Sequence, residues 1–129
     1  MVIDSSALIA ILLAEPERRA FIEAIVAADT RLIGAPTMLE TGMVVLSRSG
    51  EARLQDLRDF LARGAVEVVP FGPEHATLAL DAFRRFGKGR HRAGLNLGDC
   101  FSYALAQATG EPLLFKGDDF PHTDITRAV

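Results

Sequence analysis

Five acidic residues stand near the ends of predicted strands or the starts of predicted helices. They are Asp4, Glu40, Asp99, Asp118 and Asp119. Carboxylates that crowd together repel one another and are costly to remove from water, so a group of them requires a cation. Oxygen ligands without cysteine or a positioned histidine favour Mg²⁺ or Mn²⁺ over zinc. If these acids meet in space, they predict a site for one of those two ions.

Such a metal site suits one class of reaction. Mg²⁺ binds one or two carboxylates directly and keeps several waters, which leaves positions for a phosphate oxygen and for an attacking water. The ion lowers the pKa of that water, and a nearby carboxylate can orient it or accept its proton. The acids therefore indicate hydrolysis of a phosphodiester.

The elements that must position these acids alternate along the chain. Apolar, β-prone runs predict four strands, and the tail predicts a fifth short one; these are Met1–Asp4, Arg31–Ile33, Ala65–Val69, Pro112–Phe115 and residues 123–129. Helical spacing predicts the segments between them; these are 7–13, a helix opening at Pro16, one from Pro36 to near Gly50, 52–63, 73–86 and 99–109. This order predicts an α/β domain with a four- to five-stranded parallel sheet covered by helices on both faces.

Two details of the helices are also predicted. Ser5 or Ser6 is expected to cap the first helix. In the helix over 73–86, Ala76, Leu80 and Phe83 are expected to face inward.

The carboxyl edge of a parallel sheet is where functional residues gather, and the acids are expected there. Asp4 ends the first strand, and Glu40 lies about one turn inside the helix after the second. The helix that begins at Asp99 must run back to the start of the strand at Pro112, so its N-terminus lies at the same edge. The loop 87–98 is long enough to return there, at up to roughly 3.3 Å per residue.

Each acid also has a purely structural interpretation. Asp4 can cap the first helix, and Thr37 with Glu40 fits the Thr-x-x-Glu capping box. Asp99 can interact with a helix dipole. Asp118 and Asp119 fit an ordinary turn. Their convergence, rather than any one acid, supports a functional site.

Four segments resemble the PIN-domain family, and within it the VapC toxins of bacterial toxin–antitoxin pairs. They are residues 2–8 (VIDSSAL), 39–40 (LE), 94–101 (GLNLGDCF) and 113–120 (LLFKGDDF), in the family's order along the whole chain. The resemblance implies an α/β/α sandwich with a mostly parallel sheet and a Mg²⁺- or Mn²⁺-dependent ribonuclease activity. It also implies a homodimer within a larger complex, held inactive by a cognate VapB-like antitoxin that inserts a C-terminal segment into the acidic groove.

The resemblance also assigns roles to residues. It implies that Asp4, Glu40, Asp99 and a fourth aspartate are catalytic, and that Asp4, Asp99 and the fourth aspartate bind the metal. Asp119 is favoured as the fourth because it directly precedes Phe120, as in related members. Asp118 remains open as an alternative or an assisting ligand. Ser6 matches a hydroxyl that hydrogen-bonds a metal-bound water or a phosphate.

A cluster of basic residues precedes Asp99 in the glycine-rich loop. Its members are Lys88, Arg90, His91 and Arg92. A charge run of this kind is usually a solvated loop, but beside a carboxylate groove it is placed to hold RNA phosphates on either side of the cleaved bond. We therefore predict that these four residues bind RNA.

Other classes of function fit less well. A haloacid dehalogenase-type phosphatase needs a second aspartate two residues after the first, where this chain has Ser6. A response-regulator receiver needs an aspartate after the third strand, where this chain has Val69 and Pro70. A non-catalytic protein that uses the acids to bind a metal or a basic peptide remains an alternative.

Composition sets the wider limits. The chain has 129 residues, 49% of them hydrophobic, which predicts one domain over 1–129 and argues against disorder. No apolar run reaches the roughly 18 residues of a membrane span, and the N-terminus resembles no signal peptide, so a cytoplasmic protein is expected. The one cysteine, Cys100, is expected to be a core residue.

The net charge of −3 argues weakly against a nucleic-acid partner, but its distribution does not. Of the 17 acidic side chains, five belong to the predicted site, so 12 remain against 14 basic ones. Outside the site the chain is slightly basic, which is consistent with RNA as its substrate.

Overall fold

Four short strands form one parallel sheet in the computed structural model, which describes all residues from Met1 to Val129. The strands are β1 (Val2–Ile3), β2 (Leu32–Gly34), β3 (Glu67–Val69) and β4 (Leu113–Leu114). Their order across the sheet is β3-β2-β1-β4, and every neighbouring pair is parallel. The chain moves outward from β1 to β3 and then crosses to the other side of β1. The topological switch point, where ligands bind in such sheets, therefore lies at β1.

Five helices cover the sheet and confirm the predicted α/β architecture. They are α1 (Ser5–Leu12), α2 (Arg18–Ala27), α3 (Ala35–Arg63), α4 (Pro73–Phe86) and α5 (Leu97–Thr109), with a 3₁₀ turn at Phe120–His122. None of them is both long and apolar enough to cross a membrane.

The sheet is buried on both faces because alternate strand residues point to opposite sides. One face carries Ile3, Ile33 and Leu114 into a core with α1, α2 and α3. The other face carries Val2, Leu32 and Leu113, among others, into a core with α4 and α5. These two apolar layers make the structure an α/β/α sandwich, and they fix the carboxyl ends of the strands against the N-termini of the helices.

The predicted helix boundary near Gly50 is a sharp bend inside α3. Gly50 has φ 79° and ψ −173°, a non-helical conformation that is almost restricted to glycine. A Cβ on Gly42 would lie 3.5 Å from the Leu54 side chain, so the two halves of α3 fold back on each other. The halves thus correspond to the two predicted helices, and Leu57 and Leu61 of the second are buried as expected.

Several local predictions were wrong. Asp4, rather than Ser5 or Ser6, is the N-cap of α1. In α4, the buried residues are Ala79 and Ala82, whereas Leu80 and Phe83 are exposed, because the small side chains let α4 pack closely against α5.

The expected final strand is reduced to a single bridge. Arg127 pairs in parallel with Leu113, beside β4, and the backbone hydrogen bonds of the tail stop there. Cys100, by contrast, is buried as expected, and burial raises the pKa of its thiol to about 11, with the Asp99 charge adding to this rise. The thiol therefore stays protonated at neutral pH and is not a nucleophile.

The bend at Gly50 gives a matched pair of glycine substitutions. Gly50→Ala places a side chain at positive φ and is expected to lower the free energy of unfolding by about 1–3 kcal/mol. Gly42→Ala, in the helical part of α3 with room for a methyl group, is expected to raise it by up to about 1 kcal/mol. Urea denaturation of both variants measures the difference. Equal effects would contradict a bend that depends on glycine.

Candidate active site

Asp4 is the buried centre of the acidic cluster. It follows β1 directly, is only 3% exposed, and both of its carboxylate oxygens accept hydrogen bonds. Oδ2 accepts from the Ser6 backbone N–H at 3.0 Å and from the Ser6 hydroxyl at 2.5 Å. Oδ1 accepts from the Ser102 hydroxyl at 2.5 Å. The helix-capping interpretation of Asp4 is therefore correct, but it accounts for only one of these three bonds.

Glu40 lies in the second turn of α3, beside Asp4. Burial raises the pKa of Glu40 above its ordinary value, the charge of Asp4 adds to the rise, and a hydrogen bond from Ser5 opposes it. The Gly98 backbone packs so closely against the Glu40 carboxylate that a Cβ at Gly98 would clash with it. This contact joins α3 to the first turn of α5.

The capping-box interpretation of Glu40 was wrong. The N-cap of α3 is Gly34, so Thr37 lies inside the helix rather than at its cap. The Glu40 carboxylate accepts a 3.5 Å hydrogen bond from Ser5 instead. Glu40 is thus free of a helix-capping role and points toward the other acids.

Asp99 is in the first turn of α5, where the charges of other predicted acids act on its pKa. Its carboxylate accepts a hydrogen bond from the Asn96 N–H at 2.9 Å, while the Asn96 side chain accepts one from the Asp99 N–H. Burial raises the pKa of Asp99 to about 6, and the charges of Asp4, Asp119 and Glu40 add to the rise against the Asn96 hydrogen bond. The structure therefore brings all four of these carboxylates into electrostatic contact.

Asp118 and Asp119 are placed differently relative to this cluster. Both are exposed in the turn after β4. Only Asp119 is among the charges that raise the pKa of Asp99. Of the two, Asp119 is therefore the one whose charge acts on Asp99, and its choice as the fourth acid stays a prediction.

No basic side chain neutralises the four acids. The nearest candidate in sequence, Lys116, instead places its Nζ 2.5 Å from Glu15 and 3.0 Å from Glu17. The ion pairs of the chain include none of Asp4, Glu40, Asp99 or Asp119. A group of neighbouring carboxylates, one of them buried and two partly buried, without a basic partner fits a divalent cation by the chemistry of its donors.

The carboxylates do not, however, surround one point. No group of three or more Asp, Glu, His or Cys side chains is close enough to hold a single ion. Asp4 and Asp99 turn their oxygens toward internal donors, namely Ser6, Ser102 and the Asn96 N–H. Since Mg²⁺ takes one or two carboxylates and fills its shell with water, the donor set still fits this ion.

The Ser6 hydroxyl is hydrogen-bonded on both sides within the protein. Its hydroxyl donates to Asp4 Oδ2 at 2.5 Å and accepts from the Lys116 backbone N–H at 3.0 Å. Its one hydrogen is therefore directed at Asp4 rather than outward to a water or phosphate.

The basic loop is exposed and free of acidic partners. Lys88, Arg90, His91 and Arg92 form no ion pair, unlike Arg84 and Arg85 of α4, which pair with acids. The Arg90 guanidinium lies 5.9 Å from the centre of the Phe83 ring, and the His91 ring packs edge-on against Phe86. The three charges of Lys88, Arg90 and Arg92 and the His91 ring are therefore exposed to solvent, in the loop that leads to Asp99.

Two residues of the site were missed in the sequence. Ser102 and Thr37 are both 1% exposed, and their hydroxyl oxygens are 3.4 Å apart. Ser102 in turn donates to Asp4. Ser102 lies one turn after Asp99 in a helix whose other buried residues are almost all apolar or aromatic. A single serine among the apolar residues of the buried face of α5 was the feature of the sequence that could have identified Ser102 as a site residue.

Known proteins resemble this chain over nearly its whole length. The model of the PIN domain family matches residues 1–125. Ribonuclease VapC30 of Mycobacterium tuberculosis is 51% identical over 97% of this chain and 95% of its own. Ribonuclease VapC of Mycolicibacterium smegmatis is 49% identical over 97% of both.

A solved structure supports the same fold at much lower sequence identity. The crystal structure of Mycobacterium tuberculosis VapC20, described as a Sarcin-Ricin loop cleaving toxin, superimposes with a TM-score of 0.78. It covers 97% of this chain and 95% of the other at 14% identity. The fold is therefore shared with that protein, although most side chains differ.

The burial of Asp99, together with the neighbouring acids, predicts that its charge destabilises the metal-free protein. The pKa of Asp99, about 6 in the folded protein, lies above its ordinary value of 3.8, so stability falls as pH rises from about 4 to above 6. In chelator at pH 7.5, Asp99→Asn is expected to melt at a higher temperature than the wild type, because Asn keeps a cap acceptor without the charge. The difference in melting temperature between Asp99→Asn and the wild type should become smaller toward pH 4.

Thermal melts at the two pH values measure this effect. Asp118→Asn is the control, since it removes a neighbouring exposed charge that does not act on Asp99. A lower melting temperature for Asp99→Asn at pH 7.5, or the same gain at both pH values, would contradict the crowding.

Proposed function

The chain belongs to the PIN domain family, and from this premise we propose that it is a metal-dependent endoribonuclease, the toxin of a toxin–antitoxin pair. Its substrate is RNA, and its reaction is the hydrolysis of phosphodiester bonds. The observation that carries the proposal is the convergence of Asp4, Glu40, Asp99 and Asp119 at one edge of the sheet with no basic partner. A site of this composition suits phosphodiester chemistry assisted by Mg²⁺, with Mn²⁺ as a substitute.

Each acid has a role in this proposal. Asp4, Asp99 and Asp119 are the residues that would hold the ion, one or two of them directly and the others through its bound waters, with Asp118 as their exposed neighbour. A bound Mg²⁺ or Mn²⁺ supplies a Lewis acid at the phosphate and lowers the pKa of a bound water. Glu40, which lies beside Asp4 and belongs to no ion pair, would accept a proton from the attacking water. Ser6 orients Asp4 through their 2.5 Å hydrogen bond.

The basic loop holds the substrate in this proposal. Lys88, Arg90, His91 and Arg92 are exposed and unpaired with acids, so they can contact phosphates without first breaking an ion pair. Backbone contacts of this kind set affinity and register but carry no sequence information, so they leave the choice of RNA to the shape of the groove.

Protein partners follow from the family in the same way. We propose a homodimer bound by a VapB-like antitoxin. Its support in the chain is a set of large apolar side chains that are exposed on three helices. They are Leu39, Met43 and Leu46 on α3, Leu80 and Phe83 on α4, and Leu97 on α5. A monomeric mass in sedimentation would contradict the dimer.

Cleavage of RNA by the purified protein is the direct test of the function. With Mn²⁺ or Mg²⁺, the wild type is expected to cut RNA, and chelator is expected to abolish cleavage. Asp4→Asn and Asp99→Asn should each lower the rate by at least about 10²-fold, since each removes charge where the ion binds. Expression of the wild type should slow growth, and both substitutions should relieve this.

Two outcomes would remove the nuclease proposal. One is cleavage that survives chelator, and the other is a wild-type rate in both variants. An inactive wild type that still binds metal or a basic peptide would favour the non-catalytic alternative.

The basic loop predicts a separate effect on RNA affinity. Substituting Lys88 and Arg92 with Ala is expected to weaken RNA binding and to reduce the slope of log affinity against log salt by about 1 for each phosphate that is no longer bound. Binding is measured with the Asp99→Asn background to prevent cleavage. Arg19→Ala, on the exposed face of α2, is the matched control. Unchanged affinity and slope in the loop variant would show that the loop does not hold RNA.

A further inference from the structure

The two oxygens of Asp4 differ in how many hydrogen bonds they accept. Oδ2 accepts two, from the backbone N–H and the hydroxyl of Ser6. Oδ1 accepts one, from the hydroxyl of Ser102 at 2.5 Å. A carboxylate oxygen offers about two acceptor positions. Oδ2 is therefore filled by the protein, and Oδ1 is the oxygen of Asp4 with a position left for a cation.

The direction of the Ser102 hydroxyl is also determined. It has one hydrogen, which points to Asp4 because a carboxylate can only accept. The hydroxyl of Thr37, 3.4 Å from that of Ser102, must then be the donor in the pair. A directed chain runs from Thr37 of α3 through Ser102 of α5 to Asp4, and all three residues are 3% exposed or less.

The same bond fixes one helix against the strand end. Ser102 lies three residues after Asp99 on α5, which is almost one helical turn. By bonding to Asp4, Ser102 holds the first turn of α5, and Asp99 with it, against the end of β1. This hydrogen bond therefore links the orientation of the Asp4 carboxylate, which Ser6 also holds, to the position of α5.

We propose that Ser102, supported by Thr37, is a positioning residue that directs the free position of Asp4 Oδ1 toward the metal. The inference rests on the proposed function, in which Asp4 is a metal-binding residue. Outer partners that hydrogen-bond a ligating group orient it, and their loss typically lowers metal affinity by about 10–100-fold.

Calorimetric binding of Mn²⁺ to the metal-free protein is the test, since it needs no activity. Ser102→Ala is expected to weaken Mn²⁺ binding by about 10–100-fold. In RNA cleavage, the Mn²⁺ concentration for half-maximal rate should rise by a similar factor, while the rate at saturating Mn²⁺ stays near that of the wild type. Ser102→Thr, which keeps the hydroxyl, should restore most of the affinity.

Thr41→Val is the matched control for loss of a buried hydroxyl. Thr41 is fully buried in α3 and its hydroxyl donates to the Thr37 carbonyl at 2.8 Å, without contact to an acid. This variant is expected to lose stability but to keep wild-type Mn²⁺ affinity. A purely structural role for Ser102 would make Ser102→Ala behave in the same way.

The outcomes separate this inference from the function on which it rests. Asp4→Asn with lost Mn²⁺ binding and Ser102→Ala with unchanged binding would overturn the inference alone. Wild-type Mn²⁺ affinity in both variants would contradict the metal site itself. If Ser102→Ala does not fold, Thr37→Val decides, because it removes only the donor behind Ser102. A several-fold loss of Mn²⁺ affinity is then expected, and no loss would overturn the proposal.

Discussion

A carboxylate that is removed from water must be compensated by hydrogen bonds or by opposite charge, and Asp4 imposes this requirement on the whole molecule. The protein supplies three hydrogen bonds to it, from residues of α1 and α5, and no cation. Three further acids lie near the same place, where burial first, and then the charges of Asp4, Asp119 and Glu40, raise the pKa of Asp99 to about 6. The negative charge that the protein leaves uncompensated is the basis for assigning a divalent cation to this site.

The sheet topology explains why uncompensated negative charge accumulates at this edge of the sheet. Because all four strands are parallel, their carboxyl ends and the N-termini of α1 and α5 meet on one side of the sheet. Helix N-termini carry partial positive charge and free N–H groups, which partly compensate Asp4 and Asp99. The same helices supply Ser6 and Ser102, so the elements that bring the acids together also hold them in place.

The basic side chains of the protein do not neutralise the negative charge of the acidic cluster. Lys116 is the cation closest in sequence to Asp119, yet Glu15 and Glu17 hold it away from the cluster. Arg85 is likewise occupied, since Asp124 and Asp81 bind its guanidinium. Lys88, Arg90 and Arg92, which form no ion pair, lie in the loop before Asp99, where they can act on a polyanionic substrate rather than on the site.

Much of this arrangement could be predicted from the sequence because it depends on order along the chain. Strand ends are marked by a change from apolar to acidic residues, as at Asp4, and the direction of a crossover helix follows from the strands it joins, as for Asp99. Ser102 and Thr37 could not be assigned, because their contact joins α5 to α3 and depends on how two helices pack.

The exposed faces of α3 and α4 were unpredictable for a related physical reason. Helical spacing identifies an apolar stripe such as Ala76, Leu80 and Phe83, but not whether it covers the sheet. In α4 the small residues Ala79 and Ala82 take the buried side, and the larger ones remain exposed. An apolar stripe that faces outward is consistent with a partner, which a single chain does not contain.

Anomalous diffraction from crystals grown with Mn²⁺ tests the central claim most directly, because it locates the ion without reference to activity. We expect a Mn²⁺ peak within coordination distance of Asp4 Oδ1 and adjacent to Asp99, with Ser102 still donating to the same oxygen of Asp4. A peak that touches none of Asp4, Asp99 and Asp119, or no peak at this edge of the sheet, would contradict the assignment of a metal site to these acids.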